Sequence, residues 1–122
     1  MLGLRHLALR VHDIEKAVEF YTVILGMRID WRPDRKNVYL TTGSDNLALH
    51  QSDEPTADGA LDHFGFMVSR PEEVDEWALR LARYGVPLVQ IPKTHRDGSR
   101  SIYFRDPDKN LIQLLFHPMV GI

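Results

Sequence analysis

The stretch Asn110-Leu111-Ile112-Gln113-Leu114-Leu115-Phe116-His117, entered through Asp106-Pro107-Asp108-Lys109, decides the fold. Its strict alternation predicts a half-buried strand, with Ile112, Leu114 and Phe116 on one face and Leu111, Gln113, Leu115 and His117 on the other. Gln113 stands out between two leucines. An unpaired buried amide costs on the order of 1–3 kcal/mol, so Gln113 needs partners or a wet pocket. A ligand set completed by residues from earlier strands would supply them.

Working outward, the same alternation recurs upstream. His6 to Val11 reads as a strand, with Leu7, Leu9 and Val11 opposite His6, Ala8 and Arg10. Asp13 then suits an N-cap, and Ile14, Ala17, Val18, Tyr21 and Leu25 fall at helical spacing until Gly26. Strands are expected at 27–31, 37–42 and 46–51, separated by the Pro33-Asp34 and Gly43-Ser44-Asp45 turns. Residues 53–60 lack periodicity and form a linker. The order then repeats: a strand at 62–68, a helix from Pro71 to Gly85 led by Glu72 and Glu73, a short strand from Leu88 to Ile91, a polar loop at 92–99, a strand at 101–105, and the opening stretch. Trp31, Trp77, Phe64, Phe66 and Phe116 are expected in the core.

The chain is therefore expected to hold two βαβββ modules, 4–52 and 61–118, of an α+β fold. Register supports a duplication. His6 and His63 each precede by five residues the valine that ends their strand, and His50 and Gln113 each follow by five residues a turn aspartate, Asp45 or Asp108. Three imidazoles and an amide oxygen on strand interiors suit a divalent metal such as Fe, Zn, Ni, Mn or Co.

Bulk properties bound the rest. At 122 residues, 43% hydrophobic and 26% charged, the composition is that of an ordinary globular domain. A net charge of -2 without a basic stripe argues against nucleic acid and membrane surfaces, leaving small molecules as partners. No cysteine is present, which excludes disulfides, thiolate metal sites and thiol nucleophiles. The start, Met1 to His6, lacks a signal-like apolar run, and nothing approaches the roughly 18 apolar residues of a span, so the chain reads as cytoplasmic.

With these residues in place, the layout resembles the vicinal oxygen chelate superfamily of glyoxalase I, extradiol dioxygenases and bleomycin-resistance proteins. The resemblance rests on His6 to Val11, Phe20-Tyr21, Leu25-Gly26-Met27, Asp62 to Phe66 and Asp106 to Asn110. It implies a cup-like half-barrel with helices outside, and metal ligands on the first and fourth strand of each module. Those positions are His6, His50, His63 and Gln113. Glyoxalase-like members usually hold a glutamate at the place of Gln113, and an amide cannot serve as the proton-shuttling base that a carboxylate can. His50, as fourth ligand or as base, could take that role. The resemblance further implies an enzyme of lyase/isomerase or ring-cleaving dioxygenase type, acting on a small oxygen-rich substrate, in a homodimer in which modules can pair across chains. The alternative is a metal-free binding protein of the bleomycin-resistance type. Parity places Arg10, Tyr39, Met67, Tyr103, Arg105 and His117 on the cup face, with Arg10, Tyr103 and Arg105 as substrate-binding residues. The loop Lys93 to Arg100 is positioned to cover it.

Overall fold

The computed structural model describes residues 1–54 and 59–119. The chain divides into two compact units, Met1–Asp58 and Gly59–Ile122, called here module one and module two. Each is a βαβββ unit, in the element order that the alternation predicts, built on one open four-stranded mixed sheet. No helix among the described residues is long and apolar enough to cross a membrane.

In module one, β1 (His6–Val11) pairs in parallel with β4 (Asn46–Gln51), which continues antiparallel to β3 (Asn37–Thr41) and β2 (Arg28–Trp31). Leu9, Val11, Val38, Leu40, Leu47 and Leu49 are buried on one face. Against them lie Ile14, Ala17 and Val18 of α1 (Ile14–Glu19), which starts where Asp13 Oδ1 accepts the Glu15 and Lys16 N–H groups. The predicted helix over 14–25 is α-helical only to Glu19. Phe20–Ile24 then form a π-helical turn, in which the Leu25 N–H reaches back to the Phe20 carbonyl, and Gly26, at φ 84, turns the chain into β2. Apolar spacing alone does not separate the two helix types.

Module two repeats the order with β5 (Phe64–Met67), α2 (Pro71–Arg83), β6 (Leu88–Thr94), β7 (Arg100–Arg105) and β8 (Leu111–Phe116). Here β5 and β8 are parallel, and β8, β7 and β6 are antiparallel. Ile102, Phe104, Ile112 and Leu114 meet the Val74 and Leu81 side of α2 in the core. Pro71 opens α2, Glu72 and Glu73 occupy its first turn, and Gly85, at φ 72, ends it.

Four expectations need correction. β6 runs to Thr94 rather than Ile91, because an edge strand with two register shifts tolerates Pro92, whose missing N–H costs no ladder bond there. Strand 62–68 shrinks to Phe64–Met67, so His63 precedes β5 instead of lying within it. Trp31 is no core residue: β2 is the sheet edge and its indole is 59% exposed. Trp77, Phe64, Phe66 and Phe116 are only half-buried.

The register also corrects the internal correspondence. Ala8 lies opposite Ala48, which lies opposite Tyr39 and then Trp31. Gly65 lies opposite Gln113, which lies opposite Tyr103 and then Gln90. With His6 and His63 as equivalents, Ala48 is the counterpart of Gln113, and His50 lies two residues beyond it. Counting from an aspartate fails because the two hairpins are anchored at opposite ends. Asp45 closes its turn, accepting from Thr42 N–H and hydroxyl just before β4. Asp106 opens its own just after β7, accepting from the N–H groups of Asp108 and Asn110 and from the Asn110 amide.

Candidate functional site

In module two the sheet face away from α2 gathers three of the expected side chains. Tyr103 on β7 is the cross-strand partner of Gln113 on β8. The ring of His63 meets that of Tyr103 edge-on, with centroids 5.3 Å apart. Gly65 on β5 makes room for Gln113: a Cβ there would stand 3.1 Å from the Gln113 carbonyl and 3.1 Å from Leu115 Cδ2.

The protonation pattern of His63 follows from one contact. Its Nδ1 lies 2.6 Å from Asp62 Oδ2, and an ionised carboxylate only accepts, so Nδ1 carries the proton and donates. Nε2 is left with a free lone pair. This carboxylate-to-imidazole support is how metal-ligating histidines are oriented and made more basic. The two neutral donors of module two, His63 Nε2 and the Gln113 amide oxygen, thus fit a divalent metal by chemistry and tautomer. Among the described residues, no three His, Cys, Asp or Glu side chains gather closely enough to hold one.

Beside this group opens a cavity of about 600 Å³ lined by His95, Arg96, Asp97, Ser99, Tyr103 and Gln113. Its rim is the turn joining β6 to β7, a shorter form of the expected covering loop. That turn is well braced: the His95 N–H donates to the Ser99 carbonyl at 2.7 Å, and Asp97 Oδ1 accepts from the Ser99 N–H and hydroxyl. The Ser99 hydroxyl, then its N–H, lowers the Asp97 pKa from the ordinary value of 3.8. His117 Nδ1 accepts the Met119 N–H, which leaves its Nε2 to donate to Asp97 Oδ2 at 3.3 Å. Arg96 has no partner among the described residues and lines the opening beside the carboxylate of Asp97.

Module one distributes its candidates differently. His6 is level with Asn46, and His50 is level with Arg10, four residues along the same parallel pair and roughly 13 Å away. His6 and His50 are therefore not brought together. Each nevertheless carries the pattern of His63: His6 Nδ1 lies 2.8 Å from Asn46 Oδ1, and His50 Nδ1 lies 2.6 Å from Asn37 Oδ1. Arg10 is exposed, whereas Arg105 donates to the Lys109 carbonyl at 3.0 Å and is engaged in its own hairpin. The supporting residues Asp62, Asn46 and Asn37 escape a reading of the sequence. Only Asp62 leaves a local signal, as the neighbour of His63.

Comparison with known proteins agrees with this architecture. A model of the Glyoxalase/Bleomycin resistance protein/Dioxygenase superfamily matches residues 3–114. The chain is 33% identical over 121 residues to virulence protein STM3117 of Salmonella typhimurium, covering 89% of this chain and 80% of the relative. It is 30% identical over 116 residues to the glutathione transferase FosA of Serratia marcescens, covering 92% and 79%. Among solved structures, a lactoylglutathione lyase from Agrobacterium tumefaciens superposes with a TM-score of 0.81 at 24% identity, covering 98% of this chain and 97% of the other. The duplicated βαβββ order and the matched family model together make this chain a member of the glyoxalase/bleomycin resistance/dioxygenase, or vicinal oxygen chelate, superfamily.

Proposed function

We propose that this chain is a divalent-metal-dependent enzyme acting on a small, oxygen-rich, anionic substrate, by lyase/isomerase or ring-cleaving dioxygenase chemistry. The observation that carries this reading is the Asp62–His63 contact, which leaves the His63 Nε2 lone pair free on a ring that meets Tyr103, the cross-strand partner of Gln113. In module two the donors are His63 and Gln113; in module one His6 carries the same supported Nδ1 and the same open Nε2. Bound there, the metal supplies Lewis-acid polarisation of a substrate oxygen. A set of neutral donors leaves the positive charge of the metal undiminished and favours an anionic chelate. Arg96 draws the anion to the cavity, and the Tyr103 hydroxyl orients it. Gln113 holds no proton to exchange, so proton transfer falls to another group. That the Serratia relative is a transferase supports an enzyme reading. Assembly as a homodimer belongs to the same proposal and is checked by sedimentation equilibrium.

Metal analysis of protein purified without chelator tests it, with about one metal per chain expected in the wild type and a large loss in His63→Ala. Sub-stoichiometric metal in the wild type, unchanged by the substitution, rejects it. The second reading is a metal-free binding protein, in which the cavity lined by Tyr103 and Gln113 holds the ligand directly. Gln113→Glu sharpens the choice: a restored carboxylate tightens metal binding if the amide stands in a ligand position.

A further inference from the structure

Within module one, His50 is the end of a hydrogen-bonded chain that the metal reading does not use. Asn37 lies directly across β3 and β4 from His50, and its Oδ1 is 2.6 Å from His50 Nδ1. The orientation of that amide is fixed from behind, because Asn37 Nδ2 lies 2.9 and 3.1 Å from the two oxygens of Asp34, which only accept. Asp34 is itself held by the Lys36 N–H at 2.8 Å. That N–H, then the Asn37 amide, lowers its pKa below the ordinary 3.8 and keeps the carboxyl ionised. With its oxygen turned to His50, Asn37 can only accept, so the His50 proton resides on Nδ1 and Nε2 is left as an acceptor.

The surroundings of His50 suit a ligand. Tyr39 meets the imidazole edge-on at 6.0 Å, and Trp31 stacks on Tyr39 at 5.2 Å and 17°. On the other side Arg10 is level with His50 and has no partner among the described residues. Module two provides an internal control. At the levels of Arg10, His50 and Asn37 it carries Met67, Leu115 and Ser101, and the same strand pairing forms without any such chain. The fold does not require it.

We propose that Asp34 and Asn37 are positioning residues that hold His50 as the Nδ1–H tautomer, so that its Nε2 accepts a hydrogen bond from an O–H group of the substrate. This rests on the proposed function only in that the chain takes an oxygen-rich substrate, and it gives His50 a substrate-facing role in place of a metal-ligating one.

The test is nitrogen NMR of the imidazoles in the intact chain, at a pH well above the ordinary imidazole range, with phenol as the O–H donor. In the wild type, His50 Nε2 is expected to show the unprotonated, pyridine-type signal, and phenol shifts it. In Asn37→Ala the proton moves to Nε2 in most molecules, and phenol binding weakens by about tenfold. In Asn37→Asp, which keeps an acceptor at Nδ1, both properties return. A protonated Nε2 in the wild type, an unchanged tautomer in Asn37→Ala, or a locked tautomer that ignores phenol would each overturn the proposal. Metal content in Asn37→Ala stays at the wild-type level. Absence of metal from the wild type counts against the metal reading alone and leaves the tautomer measurement standing.

Discussion

At the level of Tyr39 and Tyr103 the two modules carry different side chains on matching strands: Ala8 and Ala48 in module one, Gly65 and Gln113 in module two. Two residues along, at the next level of the same face, the contrast reverses, with Arg10, His50 and Asn37 set against Met67, Leu115 and Ser101. Polar chemistry has thus been kept at neighbouring but different levels of one repeated sheet. The lesson is that duplication preserves the buried face, where volume is constrained, and leaves the open face free to diverge.

The largest expected effect probes the face that was kept. Leu40 and Ile102 are both fully buried, so Leu40→Ala and Ile102→Ala should each cost about 2–5 kcal/mol in urea unfolding. Costs that differ beyond that range would show that the two cores are not equivalent. Next comes the open face. Asp62→Ala should weaken metal binding by about 10–100-fold in a competition titration, because His63 loses the partner that orients it. His50→Ala should leave metal affinity within about twofold of the wild type, and an equal loss in both would erase the contrast between the modules.

The Gly65 and Ala8 pair gives a smaller effect. Gly65→Ala should cost about 1 kcal/mol, since one of the two 3.1 Å contacts is to a carbonyl held in the sheet. Ala8→Gly, at the matching level, should cost about 0.5–1 kcal/mol for the opposite reason, added backbone freedom. A stabilising Gly65→Ala would show that Gln113 does not need the space.

The smallest effect concerns the hairpins. Burial pushes the Asp45 carboxyl up, but hydrogen bonds from the Thr42 N–H, the Thr42 hydroxyl and the Thr41 hydroxyl outweigh it, and its pKa is lowered from 3.8. A depressed folded-state pKa contributes stability that is present above the unfolded value and disappears as pH falls through the folded one. Asp45→Asn should therefore lose about 0.5 kcal/mol at neutral pH and converge with the wild type in acid, as read from thermal unfolding against pH. A deficit that persists below the folded-state pKa would mean that the side chain acts through shape rather than charge.

Much of this is legible before folding is considered. β1 and β4 fall where alternation puts them: β1 has one buried and one open face, and β4 buries Leu47 and Leu49 on the core side, with Ala48 buried on the other. Asp13, Pro71 and Gly85 mark helix ends through local geometry alone. Registers are not local. Matching Gln113 to Ala48 rather than to His50 requires knowing which end of each hairpin its aspartate braces, and that is set by Asn110 and Thr42 closing onto Asp106 and Asp45. Trp31 reads as core because indole is apolar, yet membership of an edge strand is a property of the sheet. Of the site, the histidines and Gln113 were visible as polar residues on apolar strands. Their supports, Asn46 and Asn37, were not, since they lie 40 and 13 residues away from the rings they hold.

That separation has a spectroscopic use. Asp62 and His63 are chain neighbours and can meet in the unfolded chain, so the nitrogen signals of His63 say little about whether the protein has folded. His6 meets Asn46 only after β1 and β4 have paired. The imidazole of His6 is therefore a built-in reporter: during refolding, the moment at which its Nδ1 proton becomes fixed dates the closure of the longest-range strand pair in module one.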